Sequence, residues 1–143
     1  LMVTPRFRVY SSNDVVGVEL GGTLKNIVAM GAGLNDGWGY GANTKAAYMT
    51  RGLAEMTRLG VTAGASPMTF LGLAGLGDLV ATCTSPHSRN RRLGEALTRG
   101  MTLQQALDTL GGVLYQGLDP RTAITELMLR EPKHEWEGLG DEP

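Results

Sequence analysis

Apolar residues recur at helical spacing along this sequence, and glycine or proline repeatedly interrupts the pattern. Such interruptions divide a chain into separate helices, because proline cannot continue a helix and glycine often ends one. No segment shows strands alternating with helices, which a parallel sheet would require. The sequence therefore predicts a mainly α domain of several helices, with one short N-terminal strand or extended segment at Phe7 to Ser11.

Two long helices and several shorter ones are predicted. Each begins near a residue that caps helices or at a Ser-Pro or Asp-Pro pair, and most end at glycine. The stretch from Gly33 to Asn43 contains too many glycines for a helix and is predicted to be a loop. The predicted bounds are Val15 to Gly33 after Asn13 and Asp14, Thr44 to Leu59 between Asn43 and Gly60, a short helix from Ser66 and Pro67 that Gly72 to Asp78 interrupts and Leu79 to Thr84 resumes, a helix through Leu93 that Gly100 ends, another from Thr102 to Leu110, and a last one from Asp119 and Pro120.

Charge and residue usage exclude several classes of function. Lys and Arg number 13 against 14 Asp and Glu, and a net charge of -1 gives no general attraction for nucleic acid or an anionic membrane. Cys83 is the only cysteine, and with His87 and His134 it provides too few ligands for a zinc site. No apolar run approaches the roughly 20 residues that a membrane helix needs. We expect a cytoplasmic protein that inserts in no membrane and holds no metal ion.

Lys25 is the first candidate for chemistry. It lies in the glycine-rich first helix, and Gly21 lies one turn before it on the same face. Each interior glycine costs a helix about 1 kcal/mol relative to alanine, so a close contact must offset that cost. One interpretation is tight helix packing with Lys25 pointing to solvent. The other is a lysine beside a ligand, where desolvation would make its amine a usable partner for the proton of a substrate hydroxyl.

Asp78 and the run from His87 to Arg92 are the other candidates. Asp78 follows a glycine-rich segment and precedes an apolar one, so it is a helix N-cap, a carboxylate that faces a ligand, or both. The run opens a helix, where backbone N–H groups, a hydroxyl and guanidinium groups can converge on a phosphate. A solvated basic face is the alternative interpretation of the run.

Two further patterns are not taken as sites. Gly31, Gly33 and Gly37 have the wrong last spacing for a dinucleotide-binding loop, and they follow a helix where that loop must follow a strand. Cys83 and His87 could in principle be a nucleophile and its base. A lone cysteine after an apolar run is more often a small core residue, and we expect that here.

Four segments together form a family pattern. They are GVELGGTLKN (17–26), KAAYMTRGLAEMTRLG (45–60), TFLGLAGLGDLVATCTSPHSRNRRLG (69–94) and LYQGLDPRTAI (114–124). In order and spacing they resemble the C-terminal domain of bacterial NAD(P)-dependent glycerol-3-phosphate dehydrogenase, of which LKN and SRNRR are hallmarks. The resemblance covers almost the whole chain. It implies a multi-helix substrate-binding domain similar to the C-terminal domain of 6-phosphogluconate dehydrogenase-like enzymes.

The resemblance implies a role for each candidate residue. Lys25 matches a substrate-contacting lysine that accepts the proton of the secondary hydroxyl of sn-glycerol 3-phosphate while hydride passes to NAD or NADP. The product is dihydroxyacetone phosphate, and the family supplies glycerol phosphate for phospholipid synthesis. Asp78, Ser88, Arg89 and Asn90 match residues that hold the substrate, and the residue matching Arg89 also reaches the cofactor.

The resemblance also implies a division of the chain. Residues 1–13 would be an extended lead-in from a dinucleotide-binding domain, 14–131 the helical substrate domain and 132–143 a polar tail. On the order of thirty family residues, about two short helices, have no counterpart between Gly112 and Val113. They include a cofactor-contacting glutamate. Disorder explains their loss better than a deletion, because a deletion would remove the segment that normally leads into the last helix.

Three questions stay open at this point. The preference for NAD or NADP would be set in the dinucleotide-binding half, without which we expect the chain to be inactive. The oligomeric state is also open, with a homodimer as one candidate. The rival function is a stand-alone helical module that binds a phosphorylated or acidic partner through the run from Ser88 to Arg92.

Overall fold

A computed structural model describes Thr4 and residues 8–110 of the chain, and helices are the regular elements of these residues. The predicted mainly α class is confirmed, and residues 8–11 of the lead-in form no strand. The predicted helix from Asp119, the polar tail and the junction of Gly112 with Val113 lie outside the described residues. The elements are α1 (Val15–Gly37), α2 (Ala42–Thr62), α3 (Pro67–Leu71), a π-helical turn (Leu73–Gly77), α4 (Asp78–Thr84), α5 (Arg89–Thr98) and α6 (Leu103–Leu110).

Asp14 begins α1 and also joins it to the start of α3. Its Oδ1 accepts a hydrogen bond from the Gly17 amide at 2.9 Å, as an N-cap does. Its Oδ2 accepts hydrogen bonds from the Thr69 hydroxyl at 2.6 Å and from the Ser66 amide at 2.9 Å. These bonds, that of Thr69 foremost, hold the pKa of Asp14 below its usual range. The predicted cap is confirmed, and the same carboxylate fixes α3 against α1.

Helix α1 continues beyond its predicted end, so the predicted loop from Gly33 to Asn43 is wrong for residues 33–37. A Cβ atom at Gly33 would lie 1.8 Å from the carbonyl oxygen of Arg91, and one at Gly94 would lie 2.0 Å from that of Met30. Helices α1 and α5 therefore touch backbone to backbone at these two glycines. This packing offsets the helix cost of glycine, which sequence spacing cannot reveal.

Helix α2 also differs from its predicted bounds at both ends. It begins at Ala42, after an extended Gly41, instead of at Thr44 after Asn43, and it passes through Gly60 to Thr62. A Cβ atom at Gly60 would lie 2.2 Å from Cζ of Phe70, so this glycine gives room to an aromatic ring instead of stopping the helix. The stop lies at Gly64, whose φ of 90° is the left-handed conformation that often follows a helix.

The hydrophobic core lies where α1, α2 and α4 meet, with a contribution from α3. Small residues of α1 let the neighbouring helices approach, so Ala29 and Ala32 are fully buried whereas the larger Ile27 is exposed. None of the helices in the described ranges is long and apolar enough to cross a membrane. The buried core residues are Val28, Ala29, Ala32, Tyr48, Met56, Ala65, Phe70, Leu79 and Cys83.

The shorter helices end and begin largely as predicted. The Ser88 hydroxyl accepts a hydrogen bond from the Arg91 amide at 3.3 Å and so caps α5, and Gly100 follows its last turn with a φ of 84°. Thr102 caps α6 by accepting from the Gln105 amide at 3.2 Å, while the Gln105 side chain accepts from the Thr102 amide at 2.9 Å. The start of α5 is therefore held by its own hydroxyl cap.

Candidate active site

Lys25 and Asp78 form an ion pair between the middle of α1 and the first residue of α4. Lys25 Nζ donates a hydrogen bond to Asp78 Oδ2, and the Lys25 side chain is only 19% exposed. The interpretation in which Lys25 points to open solvent is therefore wrong. Asp78 is 39% exposed, and Thr82 Oγ1 lies 3.4 Å from its Oδ1 while donating to its backbone oxygen at 2.6 Å. The pair is shielded on the lysine side and open on the carboxylate side.

The π-helical turn places Asp78 opposite Lys25. A Cβ atom at Gly21 would lie 2.7 Å from the carbonyl oxygen of Ala74, so the missing side chain lets the turn rest on α1 one helical turn before the lysine. Gly77 is the N-cap of α4, which has no side-chain cap bond. The N-cap interpretation of Asp78 is therefore wrong, and its carboxylate bonds the Lys25 amine instead. Single π-helical turns of this kind often occur at functional sites.

Ser88, Arg89 and Asn90 lie at the start of α5. The amides of Arg89 and Asn90 are in the first turn, where backbone N–H groups have no intrahelical acceptor. The Arg89 side chain is exposed and forms no hydrogen bond or ion pair with the described residues. A free guanidinium beside free N–H groups at a helix start is suited to binding an anion such as phosphate.

Asn90 joins the start of α5 to the residue that follows Lys25. Asn90 Nδ2 donates to Asn26 Oδ1 at 2.8 Å, and Asn26 Nδ2 donates to the Gly22 carbonyl at 3.1 Å. No hydrogen bond or ion pair of the described residues links Ser88 or Arg89 to Lys25 or Asp78. The structure thus brings Lys25 and Asp78 into contact and anchors Asn90 to Asn26, the residue after Lys25. Sequence reasoning missed Asn26, although it stands next to Lys25 in the LKN motif.

A second group of charges, the Asp36 cluster, lies farther along α1 and consists of Asp36, Lys45, Arg91 and Glu95. Asp36 Oδ2 accepts from Lys45 Nζ and from Arg91 Nε, each at 2.7 Å, and Arg91 Nη2 donates to Glu95 at 2.9 Å. Burial acts to raise the pKa of Asp36, but the hydrogen bonds and charges of Lys45 and Arg91 hold it below its usual range. Sequence reasoning did not single out Asp36. An acid in the last turn of a helix opposes the helix dipole, and this was the available signal.

Cys83 does not form a nucleophile and base pair with His87. Cys83 is fully buried, as predicted for a core residue, whereas His87 is exposed. Burial raises the pKa of the Cys83 thiol to about 11, so the thiol is not ionised at neutral pH. In the part of the chain that the structure describes, no group of three or more His, Cys, Asp or Glu residues could hold a metal ion.

Comparison with known proteins identifies relatives of most of the chain. A family model described as NAD-dependent glycerol-3-phosphate dehydrogenase C-terminus matches residues 14–136. The glycerol-3-phosphate dehydrogenase [NAD(P)+] of Desulfitobacterium hafniense is 48% identical over 167 residues, which take in 96% of this chain and 47% of that protein. The enzyme of the same name from Frankia casuarinae is 50% identical and covers 93% of this chain and 48% of its own length.

A solved structure shows the same fold. The crystal structure of glycerol-3-phosphate dehydrogenase from Coxiella burnetii superposes with a TM-score of 0.81 at 40% identity, covering 90% of this chain and 49% of that one. The chain therefore spans about half the length of the relatives it matches. The alignment with the D. hafniense enzyme is 167 residues long, longer than the 143 residues of this chain, so it contains gaps on this side.

Proposed function

The chain belongs to the C-terminal domain family of NAD-dependent glycerol-3-phosphate dehydrogenase, and we propose that it is the substrate-binding and proton-transferring half of such an enzyme. The reaction interconverts sn-glycerol 3-phosphate and dihydroxyacetone phosphate with NAD or NADP. In the cell this activity would be cytoplasmic and would supply glycerol phosphate for phospholipid synthesis. The catalytic residue of the proposal is Lys25, and Asp78, Ser88, Arg89 and Asn90 hold the substrate.

The contact between Lys25 and Asp78 is the observation that carries the proposal. A shielded amine that touches a more exposed carboxylate can meet a substrate hydroxyl or carbonyl on the open side of the pair. A module that only grips a phosphorylated or acidic partner has no need of a carboxylate here, because it would repel such a partner. The contact therefore favours an enzyme over the rival binding module.

Proton transfer follows from the same two residues. In the reducing direction, the Lys25 ammonium donates a proton to the carbonyl oxygen at C2, and Asp78 Oδ2 holds the ammonium in place. In the oxidising direction, the neutral Nζ of Lys25 accepts the proton of the C2 hydroxyl. Bound NAD(P) would supply the acceptor or donor of the hydride at C2.

The start of α5 would bind phosphate. The exposed Arg89 guanidinium and the two free amides of the first turn fit a phosphate group of the substrate or of the dinucleotide. The hydrogen bond from Asn90 to Asn26 ties this helix start to the residue that follows Lys25, and we propose that one substrate spans the two places. Ser88 contributes by capping the helix that presents these groups.

The proposed activity needs a further domain. This chain spans about half of its relatives, and its family is named for a C-terminus, so the dinucleotide would be bound mainly by the other half. Within residues 8–110 no glycine-rich turn joins a strand to a helix, which is the usual cradle of a pyrophosphate. We also propose that the alignment gaps include the stretch after Gly112.

Kinetics of a two-domain enzyme would test the proposal. The chain would be joined to the dinucleotide-binding half of the D. hafniense relative. Lys25→Met keeps most of the side-chain volume and removes the amine, so kcat should fall by about 10²- to 10⁴-fold. Arg89→Ala removes a contact made equally in the ground and transition states, so KM should rise more than kcat falls. A near-normal kcat for Lys25→Met would show that Lys25 isn't the proton carrier.

A further inference from the structure

We propose that Asp36 is a positioning residue for the start of α5, and that it sets where Arg89 and Asn90 stand relative to Lys25. The inference rests on the proposed function, since it assigns Asp36 to the same phosphate-binding helix start. Asp36 itself would touch neither substrate nor cofactor. It would act through Arg91, which directly follows Asn90 in the first turn of α5.

The first turn of α5 is fixed to α1 at two separated points. Asn90 bonds Asn26, and the Arg91 guanidinium bonds Asp36. Along α1 these two anchor residues are about 15 Å apart, at a rise of 1.5 Å per residue. The backbone of Arg91 rests on Gly33, between the two anchors. A helix held at two points on either side of a contact cannot rotate about that contact, so its first turn keeps one direction.

Asp36 is unfavourable for α1 as an isolated helix, but it is well placed to link α1 to neighbouring helices. The negative end of the helix dipole disfavours an acid in the last turn, and the last turn of α1 has no basic residue of its own. Both carboxylate oxygens are used by cations from other helices, Lys45 of α2 and Arg91 of α5. The side chains of all three residues are at most 20% exposed. The carboxylate therefore stabilises the packing of α2 and α5 against α1.

Among the residues that the structure describes, loss of the carboxylate would leave Arg91 with one ion-pair partner, Glu95 of its own helix. The positive charges of Lys45 and Arg91, which both approach Asp36 Oδ2, would then repel each other. The first turn of α5 would keep the Asn90 anchor and the glycine contact but lose its second fixed point. Arg89 and the free amides would move away from a shared phosphate position, and small displacements of this kind weaken binding strongly.

Phosphate titration of the 143-residue chain tests this inference, with inorganic phosphate as the probe and amide NMR signals of residues 88–92 as the readout. Asp36→Asn should weaken phosphate binding by roughly tenfold. Asp36→Glu restores the charge and should recover part of the affinity. The matched control is Glu55→Gln, which breaks the ion pair that Glu55 forms with Arg58 inside α2 and should leave the affinity unchanged.

The dissociation constant separates positioning from a general effect on folding. Reduced stability lowers the folded fraction, seen as a lower melting temperature, but does not change the affinity of the molecules that remain folded. Equal phosphate affinity in Asp36→Asn and the unsubstituted chain would overturn the positioning role alone. Failure of the unsubstituted chain to bind phosphate would instead overturn the phosphate site of the proposed function. Should Asp36→Asn not fold, Asp36→Glu decides. Its longer side chain shifts the anchor, so its phosphate affinity should be lower than that of the unsubstituted chain, and an equal affinity would overturn the positioning role.

Discussion

The two groups of charges on α1 are built differently. Lys25 meets one carboxylate, and that carboxylate is 39% exposed. Asp36 has cations on both of its oxygens, and Lys45 and Arg91 are only 17% and 15% exposed. Lys25 can donate three hydrogen bonds, and within the described residues it makes one, to Asp78. One helix thus carries a pair with unused hydrogen-bonding capacity and a cluster in which both oxygens of Asp36 are bonded.

This difference separates binding chemistry from packing. Unused capacity beside an opening can be completed by a substrate, whereas a carboxylate already bonded on both oxygens offers a ligand little. Burial acts in the same direction, because shielded ion pairs are costly to break and exposed ones contribute little to folding. The pair should therefore matter mainly for catalysis and the cluster mainly for the arrangement of helices.

Alanine at two glycines of α1 gives the largest expected contrast. Gly33→Ala places a Cβ atom 1.8 Å from the Arg91 carbonyl oxygen near the cluster, so α5 must shift and the free energy of unfolding should fall by about 1–3 kcal/mol. Gly22→Ala, near the pair, meets no atom of the described residues within 4 Å and should raise it by roughly 0.5–1 kcal/mol. Urea unfolding of both variants measures the contrast. Similar losses in both would mean that the α1 and α5 backbones are not in contact.

Neutralising one carboxylate in each group should give the next largest difference. Asp36→Asn should lower the free energy of unfolding by roughly 1–3 kcal/mol, between the values for exposed and buried ion pairs. Asp78→Asn should lower it by about 0.5 kcal/mol or less, because Asp78 is 39% exposed. Chemical denaturation at neutral pH checks both. A larger loss for Asp78→Asn would reverse the assignment of packing to the cluster.

Acid should weaken the Asp36 cluster, and the resulting change in folding stability should be smaller than the two effects above. The pKa of Asp36 in the folded chain is below its ordinary value of 3.8, so its stabilising effect is complete above that value and is lost as pH falls through the folded pKa. Asp14 has a pKa shifted the same way and acts in the same range. Asp36→Asn should therefore show a shallower loss of stability below roughly pH 4. Thermal melts of both proteins at stepped pH would show it, and equal slopes would contradict the origin given for the shift.

Local signals predicted most of the helices but not the contacts that extend two of them. The caps at Asp14 and Thr102 were predicted, because a side chain bonding a nearby amide depends only on neighbours in sequence. The same signal is present at Ser88, whose cap was not predicted. Gly33 and Gly60 were taken for the ends of helices. Each in fact receives a group from a distant segment, the Arg91 backbone in one case and the Phe70 ring in the other. Glycine is typical of both situations, and only the fold distinguishes them.

The candidate site shows the same limit. Lys25 and Asp78 could be proposed from residue type and family resemblance, but their contact depends on the π-helical turn resting on Gly21. Spacing alone favoured an N-cap for Asp78, because a short acid before an apolar run often has that role. Asn26 was missed because its amide bonds Asn90, far away in sequence. Roles that depend on such distant partners cannot be predicted from local sequence patterns.

The buried thiol of Cys83 makes the native chain convenient for chemical labelling. It is the only cysteine, it is fully buried, and burial raises its pKa to about 11. Thiol-directed reagents need an accessible thiolate, so they should leave the native fold unmodified at neutral pH. A cysteine introduced at exposed Arg92 would then be the single reactive position, without first replacing Cys83. A fluorophore or spin label attached there would report directly on movements of α5.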